Sequence, residues 1–255
     1  MPHHLIRKLE CFTRLSDENK RAVLKLAQNV QLVGPDRDII HEGDNPECVN
    51  LILDGWACRY KTLQDGQRQI ISFFVPGDMC DTHVFVLREM DHSIATLTPV
   101  RLVQIPRDAL LGLTEQHPRI TQALWWEALV TAAIQREWTV NLGQRSGLQR
   151  LAHLFCELFL RLRAVGLTEG DTCPLPITQM ELADATGQTS VHVNRVLQEM
   201  RNTGLIILKS KLLTIPDMNV LQRVALFNPN YLHLDHEGSY LDANDQGSAH
   251  SHTLS

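Results

Sequence analysis

The apolar residues of this chain change their spacing along its length, and each spacing predicts a different kind of element. Near the N-terminus, Ser16 can cap a helix that runs through DENKRAVLKLAQ with an apolar stripe along one side. Between residues 30 and 106, the runs VNLILDG, WACRYKT, RQIISFFVPGD and VRLVQIP are short and β-rich, and glycine-containing turns separate them. Strands of this length and spacing predict a small antiparallel barrel or roll.

A helical spacing runs through HPRITQALWWEALVTAAIQREWTVNLG, residues 117–143. Apolar residues recur there at intervals of three and four, which predicts one helix of ~40 Å at ~1.5 Å per residue. Because this helix lies between two compact zones, we expect it to join two copies of the chain. The predicted dimer contacts are Leu124, Ile134 and Trp138. A helix buried in the core of one chain is the alternative.

The most specific pattern in the chain is ITQMELADATGQTSVHVNRVLQEMRNTGLI. Thr178 stands three residues before Glu181, which is the spacing of a capping box for a first short helix. Gly187 can end that helix and permit a sharp turn, and Thr189 or Ser190 can cap a second helix. Two short helices joined by a glycine turn predict a helix-turn-helix.

The second helix of this pattern has an apolar side and a polar side. The polar side suits a major groove, where Arg can bond guanine, Asn and Gln suit adenine, and Val can touch a thymine methyl. The predicted base-reading residues are Ser190, Val191, His192, Asn194, Arg195 and Gln198. The run LIILKSKLLTIPD then predicts two strands with a basic tip, which form a wing. The predicted DNA phosphate contacts are Thr178, Thr189, Lys209 and Lys211.

From about residue 30 to residue 225, the chain resembles the CRP/FNR family of bacterial transcription regulators. In that family a cyclic-nucleotide-binding β-roll precedes a long dimerisation helix and a C-terminal winged helix-turn-helix. The pattern quoted above is similar to the family's signature without gaps, and Arg195 falls on its usual base-contacting arginine. Asn194 falls where a serine is common and Val191 where a glutamate is common. The resemblance therefore implies a DNA half-site that differs from the best-known ones.

Taken together, the patterns and the resemblance predict an α+β fold. It comprises an N-terminal antiparallel β-roll (a double-stranded β-helix, cyclic-nucleotide-binding-like), a long dimerisation helix and a C-terminal winged helix-turn-helix. The expected boundaries are 1–116 for the sensor domain with its N-terminal helix, 117–143 for the dimerisation helix, 144–226 for the DNA-binding domain and 227–255 for a disordered tail. The implied partners are double-stranded DNA at palindromic sites, a second copy of the chain and RNA polymerase.

The resemblance also identifies candidate residues for an effector pocket. Family members that bind cyclic AMP carry a Gly-Glu pair and an Arg-Ser or Arg-Thr pair that hold the phosphate and the ribose. Aligned on the Gly-Asp of VPGDMC, the first pair becomes Asp81-Thr82 and the second becomes His92-Ser93. A carboxylate then stands where a phosphate would arrive, and a histidine replaces the arginine that neutralises it. With His83, these four residues are the effector-pocket candidates, and we expect the phosphate grip to be lost.

Two alternative functions stay open at this point. GDMCDTH resembles the carbon monoxide-sensing branch of the family, in which a histidine at the position of His83 ligates haem and an N-terminal proline of the other subunit can supply the opposite ligand; this chain begins Met1-Pro2. The cofactor is thus unknown, with cyclic nucleotide and haem as alternatives to none. A β-roll is also the scaffold of metal-dependent cupin-like enzymes, but the roll contains no His-x-His pair, so we expect neither a metal site nor an enzyme.

Composition narrows the class of protein further. The 255 residues carry a formal charge of −5, which argues against indiscriminate binding of nucleic acid but not against a local basic face. None of the six cysteines forms a CxxC pair, so zinc ribbons and common iron–sulfur spacings are not indicated. The sequence has neither a signal-peptide apolar run nor the ~18 apolar residues of a membrane span, so we expect a cytoplasmic protein without a membrane partner.

Overall fold

The computed structural model describes residues 3–27, 29–82 and 87–242. Two short helices, α1 (His3–Glu10) and α2 (Asp17–Leu26), precede the β-rich zone. The predicted cap of α2 is confirmed, because the hydroxyl of Ser16 accepts a hydrogen bond from the backbone N–H of Asn19 at 3.2 Å. No helix within the described residues combines the length and the apolarity needed to cross a bilayer.

The β-rich zone forms two antiparallel four-stranded sheets, with strand orders β1-β8-β3-β6 and β2-β7-β4-β5. The predicted roll is thereby confirmed, and the sheets remain separate rather than closing into a barrel. The strands described are β1 (Val30–Val33), β2 (Asp38–Ile40), β3 (Cys48–Asp54), β4 (Ala57–Thr62), β5 (Arg68–Phe74), β6 (Met79–Cys80), β7 (Ser93–Thr96) and β8 (Val100–Pro106).

Apolar side chains of both sheets meet in one core. Leu51 from β3 and Ile94 from β7 are fully buried there, with Phe74 of β5 beside them. Leu5 of α1 and Leu124 of the long helix close the same core from outside the sheets. The N-terminal helix is therefore packed onto the β-roll, because burial of its apolar side removes that surface from water.

Helix α3 (Arg107–Gln116) leads into the long helix α4 (Pro118–Gln144), which matches the predicted helix. Its predicted dimer contacts need correction, since Leu124, Ile134 and Trp138 are only 2%, 8% and 5% exposed within a single protomer. They pack against the roll and against the following helix, α5 (Gly147–Ala164), which occupy that side of α4.

The C-terminal zone contains the predicted winged helix-turn-helix. Its three strands pair in the order β10-β11-β9, so the wing has one strand more than the two that were predicted. The extra strand is only three residues long and ends in proline, which hides it from pattern analysis. The elements are β9 (Thr172–Pro174), α6 (Gln179–Thr186), α7 (Ser190–Asn202), β10 (Ile207–Lys209), β11 (Leu212–Thr214) and α8 (Met218–Ala225).

The segment after α8 corrects the expectation of a disordered tail over its described part. Two turns of 3-10 helix, Pro229–Leu232 and Ser239–Leu241, pack back against the body of the protein. Leu232 is 1% exposed, and the backbone N–H of Gly238 donates to the carbonyl of Phe12 at 2.9 Å. The polar average of the segment concealed the few apolar side chains that anchor it. Residues 243–255 lie outside the described residues.

Candidate DNA interface and effector cavity

The turn between α6 and α7 is built from local signals that the sequence analysis identified. The backbone N–H of Thr178 donates to the carboxylate of Glu181 at 2.6 Å, and Glu181 N–H donates to the Thr178 hydroxyl at 3.2 Å. The predicted capping box is therefore confirmed. Gly187 ends α6 in the left-handed region at φ +61°, and the Thr189 hydroxyl caps α7. Both threonine hydroxyls retain an O–H that can donate to a phosphate.

Helix α7 places its apolar side against the domain and its polar side at the surface. The buried side is formed by Val193, Val196, Leu197 and Met200, as predicted. Val191 is 79% exposed, and Arg195 and Gln198 are exposed as well. Ser190 and Asn194 are half-buried at the same surface. The six predicted base-reading residues thus lie on and around the exposed side of one helix.

Hydrogen bonds order several of these polar side chains before any DNA is present. Asn194 donates its amide N–H to Gln179 Oε1 at 2.9 Å, and Gln198 donates to Asn194 Oδ1 at 2.9 Å. These two bonds fix which end of the Asn194 amide faces each neighbour. Sequence reasoning missed Gln179, because it lies at the start of α6, fifteen residues before Asn194, and the two side chains meet only when the turn folds.

His192 supports Arg195 instead of extending freely from the helix. Its Nδ1 lies 2.8 Å from Arg195 Nη2, so an unprotonated Nδ1 can accept a hydrogen bond from the guanidinium. The ring is held against the start of α5, where a Cβ on Gly147 would come within 2.4 Å of His192 Nε2. The half-buried His192 was predicted as a base reader, and its contacts are those of a positioning residue.

The wing presents a basic tip beside α7. Ser210 and Lys211 connect β10 to β11 with φ values of +53° and +61°, which is a two-residue hairpin turn of the kind that matches strand twist. Lys209 and Lys211 are both exposed. Two ammonium groups on a protruding hairpin are suited to contact phosphates that flank the groove read by α7.

The helix-turn-helix is docked against the β-roll of the same chain. Arg68 of β5 donates from Nε to Asp184 Oδ2 of α6 at 2.8 Å, and its Nη2 lies at the same distance. Gln69 Nε2 also donates to the carbonyl of Ala185 at 3.4 Å. A direct contact therefore connects the β-roll with the helix-turn-helix.

Two of the effector-pocket candidates, Asp81 and His92, form one polar cluster with Arg59 of β4. Arg59 Nη2 is paired with Asp81 Oδ1, and Asp81 Oδ2 lies 2.9 Å from His92 Nε2. Arg59 Nε also lies 3.1 Å from that Nε2, while His92 Nδ1 lies 2.7 Å from Asp91 Oδ1. The hydrogen bond with His92 lowers the pKa of the Asp91 carboxyl. Sequence reasoning did not place Arg59 among the pocket candidates, and its guanidinium is neutralised by Asp81.

Thr82 belongs to a second, more deeply buried cluster. Its hydroxyl donates to Glu127 Oε2 on α4 at 3.2 Å. Lys8 of α1 donates to both Glu127 and Asp78 at 2.6 Å, and Arg161 of α5 donates to Asp78 at 2.9 Å. Burial raises the pKa of the Asp78 carboxyl, but Lys8 and Arg161 outweigh burial and hold that pKa below its usual value.

The remaining pocket candidates are placed differently. The Ser93 hydroxyl accepts from the backbone N–H of Glu42 at 2.9 Å and is not part of the cavity wall. His83, the proposed haem ligand, lies outside the described residues, as do Met1 and Pro2.

Both charged clusters line one cavity of about 670 Å³ between the roll, α4, α5 and the segment after α8. Its charged side chains come from the N-terminal helix, the roll, the long helix and α5. The apolar part of the wall includes Phe74, Met79, Trp126, Val130, Ile134 and Leu232. The cavity therefore lies where the β-roll, the long helix and the C-terminal zone meet.

Comparison with known proteins places this geometry in a family. Residues 30–117 match the family model of the cyclic nucleotide-binding domain, and residues 149–224 match that of the Crp-like helix-turn-helix domain. The chain is 25% identical to the transcriptional activator protein FnrL of Cereibacter sphaeroides over 202 residues, which cover 76% of this chain and 79% of FnrL. It is 28% identical to a probable transcriptional activator of Rhizobium leguminosarum over 189 residues, covering 73% and 77% of the two chains.

A solved structure shares the fold over most of the chain. The structure of FixK2 from Bradyrhizobium japonicum superposes with a TM-score of 0.69 at 20% identity, covering 77% of this chain and 96% of FixK2. This likeness shows the fold. The cyclic nucleotide-binding match precedes the helix-turn-helix match along the chain. A cyclic-nucleotide-binding-like roll, a long helix and a Crp-like helix-turn-helix with an ordered recognition surface identify the chain as a DNA-binding transcription regulator of the CRP/FNR family.

Proposed function

We propose that the protein acts as a homodimer that binds palindromic DNA sequence-specifically and regulates transcription, with a degenerate effector domain that has lost cyclic-nucleotide recognition. The observation that carries this proposal is the recognition surface of α7, where exposed Val191 and Arg195 stand beside an amide pair ordered by hydrogen bonds. We place its action in the cytoplasm, with RNA polymerase as a further partner.

A second copy of the chain has a suitable surface on α4. Trp125, Leu129 and Val140 are 58%, 68% and 46% exposed, and their spacing of four and eleven residues puts them on one side of the helix. That side is opposite to the one that packs against the roll. An apolar stripe along an exposed helix supports a helix-to-helix contact between two protomers. Two recognition helices would then reach half-sites about one DNA turn (~34 Å) apart.

The loss of cyclic-nucleotide recognition is supported by the Arg59 cluster. A cyclic nucleotide carries a phosphate that needs a free cation or exposed backbone N–H groups. In this protein Arg59 is paired with Asp81, which stands at the position of the family's phosphate-binding pair. A phosphate entering there would have to displace a carboxylate.

Selection of DNA fragments at ~150 mM salt tests the proposal, because nonspecific phosphate attraction is reduced there. Arg195→Ala should weaken binding to the selected site by about 1–3 kcal/mol and relax preference at one base pair. Lys209→Ala should weaken binding to all sequences alike and lower the salt dependence. Arg101→Ala removes the same charge from an exposed position on the roll and serves as the control.

Two results would contradict the proposal. Equal losses on selected and random DNA for Arg195→Ala would remove Arg195 from the base-reading residues. A monomeric protein that still selects palindromic sites would contradict the proposed dimer, which sedimentation of the wild type and of Leu129→Asp measures directly.

A further inference from the structure

We propose that the cavity between the roll and the long helix binds an uncharged, mainly apolar small molecule. This inference rests on the proposed function and names the chemical class of ligand that its effector domain would take. The volume of about 670 Å³ lies within the ~300–1,000 Å³ that is usual for ligand sites. Most of the wall that a ligand would meet is aliphatic or aromatic.

The charged residues in the wall argue against an anionic ligand. The cations are Lys8, Arg59 and Arg161, and the carboxylates are Asp78, Asp81, Asp91 and Glu127. Each cation lies within hydrogen-bonding distance of at least one of these carboxylates. The wall therefore offers three cations already paired and one carboxylate in excess. An added phosphate or carboxylate would lose its hydration shell without gaining a counter-ion.

A cationic ligand is disfavoured by the same pairing. Asp91 is bonded to His92, and its side chain is 79% exposed, so it is already solvated by water. The two oxygens of Glu127 each accept a hydrogen bond, from Lys8 and from Thr82. The uncharged hydroxyls of Ser72 and Thr131 are part of the wall and can orient a ligand that has one or two neutral polar groups. What remains is contact with apolar surface, which stabilises binding of an uncharged molecule.

Part of the cavity wall is formed by the segment that directly follows the DNA-binding domain. Leu232 and Leu234 come from the segment that follows α8, and they line the cavity together with Val130 and Ile134 of α4. Tyr231, next to them, donates its hydroxyl to buried Glu157 of α5 at 2.8 Å. A ligand that contacts these leucines therefore touches both the roll and the segment that directly follows the DNA-binding domain. If the DNA-binding domain can take two positions relative to the roll, the ligand shifts the equilibrium between them. The size of that shift is set by the difference in ligand affinity for the two positions.

The first test uses two fluorescent probes on the wild-type, full-length protein. N-phenylnaphthylamine is uncharged, and anilinonaphthalene sulfonate has the same rings with one added negative charge. We expect the neutral probe to bind saturably at one site per chain and about tenfold or more tighter than the sulfonate, as a wall without a free cation requires. Cyclic AMP should not displace it. Tighter binding of the sulfonate, or displacement by cyclic AMP, would overturn the proposal.

Variants locate the bound probe. Val130→Trp fills part of the cavity and should weaken binding of the neutral probe by about tenfold or more, because the indole ring occupies space that the probe needs. Val30→Trp makes the same change on an exposed strand, where Val30 is 43% exposed, and should leave probe affinity unchanged. Leu234→Asp introduces a charge in a non-helical segment and should also weaken binding. Its result stands if Val130→Trp fails to fold. Unchanged affinity in both cavity variants would overturn the proposal.

DNA selection by the same preparations separates this inference from the proposed function. Suppose that the protein selects DNA but the neutral probe does not bind, or binds outside the cavity. The proposed ligand class would then be rejected and the proposed regulatory function retained. Probe binding at the cavity by a protein that selects no DNA, with or without probe, would reject the regulatory function and retain the site.

Discussion

His153 of α5 is a fully buried histidine, and we expect it to lower the free energy of unfolding of the protein at acid pH. Its side chain is 0% exposed and packs against the rings of Phe227 and Tyr231, at centroid distances of 4.9 and 5.9 Å. Burial, with a smaller contribution from the charge of Arg145, lowers the pKa of His153 to about 3. Glu137 Oε1 lies 3.3 Å from its Nε2 but is paired with Arg145 Nη2 at 2.6 Å.

The magnitude follows from the difference between the folded and unfolded pKa values. An unfolded chain protonates this histidine below a pKa of ~6.5, while the folded protein does not until far lower pH. The stability contribution is therefore complete above ~pH 6.5 and is lost as the pH falls, at about 1.4 kcal/mol per unit. At pH 5 the loss attributable to His153 should be about 2 kcal/mol.

Urea unfolding at pH 7.5 and at pH 5 measures this effect in wild type and in His153→Phe, which keeps an aromatic ring but cannot bind a proton. The variant should lose about 2 kcal/mol less than wild type between the two pH values. Buried Glu157, whose pKa burial raises, is present in both proteins and cancels in the comparison. His3→Phe at an exposed position of α1 should behave like wild type. Equal pH dependence of wild type and His153→Phe would refute the reasoning and show that Glu137 lets His153 hold a proton in the folded protein.

Three further predictions concern the DNA-binding domain. His192→Asn retains an acceptor near the position of Nδ1 and should preserve discrimination at the base pair read by Arg195, whereas His192→Leu should reduce it by about 1 kcal/mol; equal selectivity of the two variants in fragment selection would exclude a positioning role. Gly187→Ala should cost ~1–2 kcal/mol in urea unfolding because its left-handed backbone, and not the space around a Cβ, opposes the change; a loss under ~0.3 kcal/mol would contradict this. A double-mutant cycle on Arg68→Ala and Asp184→Ala should give a coupling energy of about 0.5–1 kcal/mol, and coupling near zero would contradict a stabilising contact between these two side chains.

The sequence predicted the helix-turn-helix in detail because its signals are local. The capping box joins Thr178 to Glu181, three residues apart, and Gly187 acts through its own backbone angles. Interactions that span one helical turn depend little on the rest of the chain. The strands of the roll were predicted for the same reason, since alternation and turn residues are properties of short segments.

The face of the long helix that points inward was decided by tertiary structure. Adjacent Trp125 and Trp126 have the same residue type, yet Trp125 is 58% exposed and Trp126 is 7% exposed. Because α4 has apolar residues on both sides, its periodicity predicts a helix without indicating which side the roll and α5 cover.

The chemistry of the cavity depended on tertiary structure even more strongly. Lys8 pairs with Asp78 and Glu127, which are 70 and 119 residues away along the chain. The resemblance alone indicated that Asp81 and His92 replace a phosphate grip, but not that Arg59 is paired with Asp81. The sequence by itself thus determined the elements and their local caps. Only the folded chain decided which charges neutralise one another, because electrostatic pairing depends on distance in space and not on separation in sequence.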